Sequence, residues 1–131
     1  MKKTTIFLVI LLSFGVFAFQ CKKNNDPYSG ECIKGQLIDA LCASYIIKIT
    51  DGNYDPSRVV NNWQDPHSGN TYDKVFAVSN FCDIQGKLTP GQELTFTFED
   101  GDSANDCVTC MAIRPVPPKS NKIKLTASCE D

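Results

Sequence analysis

Two cysteines separated by two residues, Cys107 and Cys110 in "CVTC", form the most specific chemical motif of this sequence. In thiol-disulfide oxidoreductases, the first thiol of such a pair is activated at a helix N-terminus and the second resolves the mixed disulfide. Here the motif follows an acidic loop and precedes a predicted strand, and the carboxylate of Asp106 disfavours a thiolate beside it. The sequence therefore favours structural disulfides for both cysteines, with thiol-disulfide exchange at this pair as an alternative function.

Metal binding has its best candidates in the acidic run "EDGDSANDC". Asp100, Asp102 and Asp106 are candidate calcium ligands, although the run does not match the spacing of an EF-hand loop. Such a run is more often a solvated turn between strands. Zinc at the closely spaced cysteines would need two further ligands, and the single histidine, His67, lies in the loop "DPHSGN" without matched spacing. We therefore predict no metal and no other cofactor.

Catalysis through a nucleophile would depend on that one histidine. Any Ser-His-Asp or Cys-His arrangement must use His67, and no nucleophile elbow occurs in the chain. The acidic residues show no spacing that selects a pair of carboxylates for glycoside hydrolysis. The sequence therefore predicts a protein that is not an enzyme.

Three aromatic residues are better candidates for a binding site. Tyr54, Trp63 and Tyr72 fall within or beside a long predicted connection, and such rings stack on sugars or anchor a protein partner. Alternatively, Trp63 folds back to cover one end of the domain. A rigid loop such as residues 51–72 would also suit a small inhibitor that plugs the active site of an envelope or foreign hydrolase.

The elements that must position these residues are short β-strands. Several segments alternate apolar and polar residues in the period of a strand. "CIKGQLIDALC" is predicted to supply the first strand, with a bulge at Gly35, and "CMAIRPV" and "KIKLTASC" are predicted to form a C-terminal hairpin around "PPKSN". The apolar faces of the other strands are Tyr45, Ile47 and Ile49; Val75, Ala77 and Phe81; and Leu94, Phe96 and Phe98.

One helix is predicted. Asp55 before Pro56 is an N-cap followed by a first-turn proline, so a helix of about two turns is expected towards Trp63. Five or six short strands and one short helix in about 100 residues predict a small antiparallel β-barrel, with a β-sandwich as the alternative. The order of two strands, a long connection with a helical turn and three more strands resembles an OB-type barrel. It is similar to small OB-like domains of envelope lipoproteins.

The N-terminus has the layout of an export signal. Lys2 and Lys3 precede an apolar run of fourteen residues, which is too short to cross a bilayer. The run ends at "FQCKK", and this junction resembles the type II signal peptide of bacterial lipoproteins of the Bacteroidota type, which is cut before a cysteine that is then acylated. The resemblance implies a signal peptide in residues 1–20, a lipidated tether in residues 21–31 starting at Cys21, and a single domain in residues 32–131.

The number of cysteines supports the same interpretation. The cysteines of an exported protein usually pair in disulfides, so a count of seven leaves one over. Acylation of Cys21 accounts for it and leaves six cysteines for three disulfides. Six cysteines allow 15 pairings, of which we expect Cys129, at the end of the last strand, to close onto an early strand. The six are Cys32, Cys42, Cys82, Cys107, Cys110 and Cys129.

Charge excludes one class of partner. Without Lys2 and Lys3, the 13 basic side chains fall to 11 against 15 acidic ones, a formal charge of −4. A mildly acidic domain with scattered lysines is a poor ligand for DNA or RNA. The sequence therefore predicts an envelope protein, anchored by lipid to the outer membrane, that binds or scaffolds a protein or glycan partner.

The lipid anchor gives a direct test. Cys21→Ala removes the acylated sulfur, so we expect the variant to leave the membrane fraction and appear in the soluble fraction, measured by immunoblot after ultracentrifugation. Cys32→Ala, which changes another cysteine, is the control and should stay with the membrane. A Cys21→Ala protein that still sediments with membranes would contradict the lipoprotein hypothesis.

Overall fold

The structure is a computed structural model that describes residues 30–129. The predicted signal peptide and Cys21 lie outside the described residues, as does the predicted tether except for residues 30 and 31. In the part that is described, no helix has the length and apolar character needed to cross a membrane.

Seven strands, one 3₁₀ helix and one α-helix account for the regular structure of residues 30–129. Five of the strands form a closed barrel in the order β1-β2-β5-β7-β6, and β3 and β4 form a separate small hairpin. All strand pairs are antiparallel except β5 with β7. The elements are β1 (Ile33–Leu41), β2 (Ser44–Asp51), the 3₁₀ helix (Pro56–Arg58), β3 (Trp63–Gln64), β4 (Thr71–Tyr72), β5 (Val75–Val78), α1 (Phe81–Ile84), β6 (Glu93–Glu99) and β7 (Ser120–Thr126).

This architecture confirms the predicted fold class. The domain is an all-β, OB-like barrel with two strands, a long connection containing a helical turn, and three further barrel strands. The barrel closes because β6 pairs with β1 on one side and with β7 on the other, which removes the free sheet edges that an open sandwich would leave. The alternative of a β-sandwich is therefore wrong.

The core fills the barrel as the strand alternation predicts. Alternate residues of β2 point inward, because the side chains of a strand project to opposite faces in turn. Two buried phenylalanines, Phe76 and Phe96, lie in the core with ring centroids 5.7 Å apart, and the partly buried Phe98 packs against them at 5.2 Å and 5.5 Å. The buried core consists of Ile33, Leu37, Tyr45, Ile47, Ile49, Val59, Phe76, Val78, Ile84, Leu94, Phe96 and Ile123.

β5 differs from its predicted pattern. The sequence placed Val75, Ala77 and Phe81 on one strand face, whereas the strand ends at Val78 and Phe81 begins α1. All four β5 residues are buried, and Phe76 and Val78 are the ones in the core. A strand that is covered on both sides loses the alternation from which its faces are predicted.

The predicted helix starts correctly but is shorter than expected. The side chain of Asp55 accepts a hydrogen bond of 2.8 Å from the backbone N–H of Ser57, and Pro56 occupies the first turn. This hydrogen bond lowers the pKa of the Asp55 carboxyl. The helix is a single 3₁₀ turn that ends at Arg58, since Val60 already pairs with Val75 as an isolated bridge.

The predicted C-terminal hairpin is wrong in its first strand. "CMAIRPV" forms no strand, and residues 100–119 contain no helix or strand at all. β7 is present as predicted, but its partners are β6 and β5. The prolines at 115, 117 and 118 explain the failure, because a proline cannot donate a hydrogen bond to a strand ladder.

Two irregularities let β1 bend enough to pair with both β2 and β6. The pairing with β2 shifts between Lys34 and Gly35, where the extra residue, Thr50, lies on β2, and shifts again at Ile38 on β1. The predicted bulge is therefore confirmed in its position at Gly35, but its extra residue lies on β2. A Cβ atom at Gly35 would lie 2.8 Å from Cγ2 of Ile47 and 3.0 Å from the carbonyl oxygen of Lys48, so only glycine fits this crossing.

Gly35→Ala should therefore destabilise the barrel. The added methyl group cannot be accommodated without moving backbone, so we expect the free energy of unfolding to fall by about 1–3 kcal/mol, measured by urea denaturation with the disulfides intact. Lys34→Ala is the matched control, since it removes only an exposed ion pair with Asp51, of 3.7 Å, and should cost less than about 1 kcal/mol. Equal stability of Gly35→Ala and the wild type would show that the crossing is not tightly packed.

Candidate functional site

The long connection between β6 and β7, residues 100–119, is the least regular segment of the described domain. Structureless connections of this length are uncommon inside compact domains and are usually functional when they are ordered. Ordering so many residues costs conformational entropy, which must be offset by contacts with the barrel. Its attachments therefore show where this loop is held and where it is free.

Two of the three disulfides hold this loop. Cys107 is bonded to Cys82 in α1, and Cys110 is bonded to Cys42 in the turn between β1 and β2. The Cα atoms of these pairs lie 5.5 Å and 5.2 Å apart, within the range of ordinary disulfides. The "CVTC" motif is thus divided between two bridges, whereas a redox motif of this spacing joins its own two cysteines.

The third disulfide closes the domain at its ends. Cys129, three residues after β7, is bonded to Cys32, which directly precedes β1. Their Cα atoms are 5.4 Å apart. This confirms the expectation that Cys129 closes onto an early strand.

A salt bridge holds the loop at a third place, and the bulge in β1 makes it available. Ile33, Gly35 and Leu37 alternate towards the core, so a regular strand would also point Asp39 inward. The extra residue at Ile38 reverses the alternation, because a bulge turns the residues that follow it to the opposite face. Asp39 therefore faces outward.

Arg114 of the loop meets Asp39 there. Its Nη1 donates to one carboxylate oxygen of Asp39, while the backbone N–H of Ala40 donates to the other oxygen at 2.9 Å. Both charged side chains are about four-fifths covered, with exposures of 21% and 18%. Beyond Arg114 the loop returns to the barrel, where Pro117 is completely buried.

Residues 111–113 form an arch between these attachments. One end is fixed by the disulfide of Cys110 to Cys42 and the other by the ion pair of Arg114 with Asp39. Positions 39 and 42 lie three residues apart on the same β1-β2 hairpin, so both ends of the arch rest on one rigid support. We refer to residues 111–113 as the arch.

The arch carries two fully exposed apolar side chains. Met111 is 98% exposed and Ile113 is 96% exposed, and nearby Val108 is 90% exposed. Within the described part of the chain, residues 109–118 form no hydrogen bond between backbone groups. The arch therefore presents apolar side chains together with free backbone donors and acceptors.

The predicted aromatic site is only partly assembled. Trp63 and Tyr72 face each other across the β3-β4 hairpin, with ring centroids 6.4 Å apart and ring planes 27° from parallel. Tyr54 instead is partly buried against the barrel core. Trp63 is half-buried and is not among the side chains packed on the core, contrary to the alternative in which it covers the barrel.

The tip of this hairpin is organised by Asp65. Its carboxylate accepts hydrogen bonds from the backbone N–H groups of His67 and Ser68 at 2.9 and 3.2 Å, and from the Ser68 hydroxyl at 2.6 Å. Partial burial acts to raise the pKa of Asp65, but these hydrogen bonds outweigh it and hold the pKa below its usual value. His67 contributes its backbone to this turn, which is the role of a turn residue.

The candidate calcium ligands do not come together. Asp100 accepts a hydrogen bond of 2.7 Å from Arg58, whose guanidinium also lies 5.1 Å from the centroid of the Phe98 ring. Among residues 30–129, no group of three histidine, cysteine, aspartate or glutamate side chains is placed to hold a metal ion. Asp102 and Asp106 are exposed on the loop.

A shallow groove of about 520 Å³ lies between β1, β6 and β7. Lys34, Glu93 and the hydroxyls of Thr95 and Thr126 are on its walls, together with Leu88. The hydroxyl of Thr95 already donates to the Thr126 carbonyl at 2.6 Å, so part of this polar lining is satisfied within the sheet.

The arch was not predicted from the sequence. Met111 and Ile113 belong to "CMAIRPV", for which the sequence predicts the first strand of a C-terminal hairpin. Two signals favoured a loop: the prolines that follow, and the cysteines at 107 and 110, which tie a segment to the rest of the domain wherever their partners lie.

Removing one attachment of the arch tests this geometry. The double variant Cys42→Ser with Cys110→Ser should lower the free energy of unfolding by about 2–4 kcal/mol, as measured by urea denaturation. It should also make residues 108–116 the first site of limited proteolysis, identified by mass spectrometry. The matched control, Cys32→Ser with Cys129→Ser, removes a bridge of similar worth elsewhere and should leave the arch resistant. Cleavage at the same rate in both variants would show that the disulfide does not hold the arch.

Comparisons of the chain with protein-family models, with curated proteins and with solved structures find no match. The candidate site therefore rests on its own geometry. That geometry is an apolar arch whose two ends are fixed to the β1-β2 hairpin. The arch is part of the loop between β6 and β7, which is also covalently attached to α1.

Proposed function

We propose that this protein is an exported, lipid-anchored binding module without catalytic activity, and that it binds a protein partner through the arch. The observation that carries the proposal is the nearly complete exposure of Met111 and Ile113 on a segment whose ends are both fixed. The barrel is the support, and the loop between β6 and β7 is the binding element. Binding elements on loops that a rigid scaffold holds in place are common.

Exposed apolar side chains favour a partner that buries them. A methionine or isoleucine side chain gains about 1.5–3 kcal/mol when it is fully removed from water. Single exposed apolar residues are ordinary on protein surfaces, but two at more than nine-tenths exposure on one short arch are a concentrated apolar surface. Two such anchors in a central pocket would supply a large part of a typical binding free energy.

Fixed ends reduce the cost of binding. A free loop of three residues would lose backbone entropy on binding, at about 1–2 kcal/mol for each residue that becomes ordered. The disulfide at Cys110 and the ion pair at Arg114 impose most of that order beforehand. Preorganisation of this kind raises affinity without adding contacts.

The three disulfides support export to an oxidising compartment, since such bonds are rare in reducing cytosol. Acylation of Cys21 would then hold the protein at a membrane. A tether of residues 21–31 can span roughly 35 Å when it is extended. The arch could thus reach a partner that is not itself in contact with the bilayer.

The β3-β4 hairpin is the second candidate binding surface. Trp63 and Tyr72 are half-buried and stack on each other, so part of each ring stays accessible to a glycan or a protein. Their partial burial leaves less apolar area to gain than the arch offers. The two surfaces are separable by mutation because they belong to different connections of the barrel.

Partner capture distinguishes the two surfaces. The mature lipidated protein, immobilised in mild detergent, should retain a partner from an envelope extract, and Met111→Asp or Ile113→Asp should reduce the captured amount by about tenfold or more. A charge in a desolvated apolar pocket is strongly unfavourable, whereas these exposed positions tolerate it in the free protein. Capture is quantified by mass spectrometry.

The controls are Val108→Asp, at an equally exposed position outside the arch, and the pair Trp63→Ala and Tyr72→Ala. All of them should capture the partner as the wild type does. Loss of capture with the hairpin variants and not with the arch variants would move the binding site to the hairpin. Unchanged capture in both arch variants would refute the proposed role of the arch.

A further inference from the structure

We infer that the arch occupies the substrate cleft of an endopeptidase whose primary subsite accepts an apolar side chain, and that it thereby inhibits the enzyme. This inference rests on the proposed function, because it requires the arch to bind protein.

The backbone of the arch is available for pairing with another chain. An endopeptidase binds its substrate by pairing the peptide backbone with the edge of the cleft, as an added strand does. Residues 109–114 contain no proline and have no hydrogen bond to any other backbone group in the described chain, so their donors and acceptors are free for such pairing. In β6 and β7, by contrast, these groups are already used within the barrel.

The side chains define the subsite. Met111 and Ile113 are free to enter a pocket, whereas Arg114 is engaged by Asp39. A cleft that requires a basic side chain would have to break this largely covered ion pair, whereas an apolar cleft would not. Chymotrypsin has a hydrophobic slot at this subsite and trypsin has an aspartate there, so the two enzymes separate these cases.

The two attachments would also keep the arch in the cleft after the enzyme cleaves it. Hydrolysis of a peptide bond within the arch would add the hydroxyl of one water to the carbonyl carbon and its proton to the released amine. The new carboxyl end would stay attached through Cys110 to Cys42, and the new amino end through Arg114 to Asp39. Neither end could leave the cleft independently, so the cut form would remain bound as the intact form is.

Charge and size favour an enzyme cleft over the other surfaces that an apolar arch could contact. Asp102 and Asp106 are exposed on the same loop, and an anionic bilayer would repel them. A convex arch of this size matches a concave cleft, which surrounds it and buries its side chains.

Inhibition of purified enzymes tests the inference. Equimolar mature protein should abolish the activity of chymotrypsin and of subtilisin on small peptide substrates and leave trypsin active. At least one of Met111→Asp and Ile113→Asp should raise the inhibition constant by about 100-fold, because a charged side chain cannot enter the apolar subsite. Val108→Asp is the matched control and should inhibit as the wild type does.

The mass gain of one water without separation of fragments is the expected signature of cleavage within the arch.

Four outcomes would overturn it: no inhibition of either enzyme, unchanged inhibition by both arch variants, release of free fragments with full enzyme activity, or binding to vesicles of phosphatidylglycerol through the arch. The proposed function is judged separately. If the arch variants lose their partner from the envelope extract while neither enzyme is inhibited, the protein-binding role stands and the inhibitor inference fails. If the variants keep that partner, the binding role fails as well.

Discussion

Strand β1 has to pair with β2 along one edge and with β6 along the other, and this double pairing closes the barrel. A straight strand cannot do both, because closing a sheet of five strands requires strong bending and twist. Gly35 permits the close crossing near Ile47, and the extra residue at Ile38 adds a second bend. The same bend turns Asp39 outward, where it holds Arg114. Closure of the core and attachment of the surface loop thus depend on one strand.

The three disulfides add to the stability that the small core supplies. They connect the two ends of the domain, attach the long loop to α1, and fix one end of the arch to the β1-β2 turn. A bridge stabilises chiefly by restricting the unfolded chain, and more so when it closes a long loop. Two of these bridges close loops of 97 and 68 residues. The bridges at Cys107 and Cys110 also order a loop whose central residues have no backbone hydrogen bonds of their own. The same covalent bonds therefore stabilise the domain and fix the position of the arch.

Exposure of apolar side chains on an ordered segment is the feature that links this fold to a function. Met111 and Ile113 contribute nothing to the core, since almost all of their surface is in water. Their position is nevertheless constrained on both sides by contacts that do belong to the fold. A rigid apolar arch loses little entropy on binding and gains from desolvation, which is the condition for tight association through a small contact area. The β3-β4 hairpin is ordered in another way, through the hydrogen bonds around Asp65, and carries its aromatic pair in a more sheltered position.

The sequence by itself determined the strands whose residues alternate between core and water. β2, β6 and β7 followed from this pattern, and the start of the 3₁₀ helix followed from Asp55 and Pro56, because these signals are local. Burial of β5 on both faces and the length of the helix were not predictable, since distant segments decide them. Apart from the closure of Cys129 onto an early strand, the disulfide pairing was not predictable, because six cysteines leave 15 pairings and only the fold brings partners within reach. The predicted strand at "CMAIRPV" failed for the same reason. Whether an apolar side chain faces a core or water depends on its neighbours in space. Only the tertiary structure shows that Met111 and Ile113 have almost no neighbours and face water.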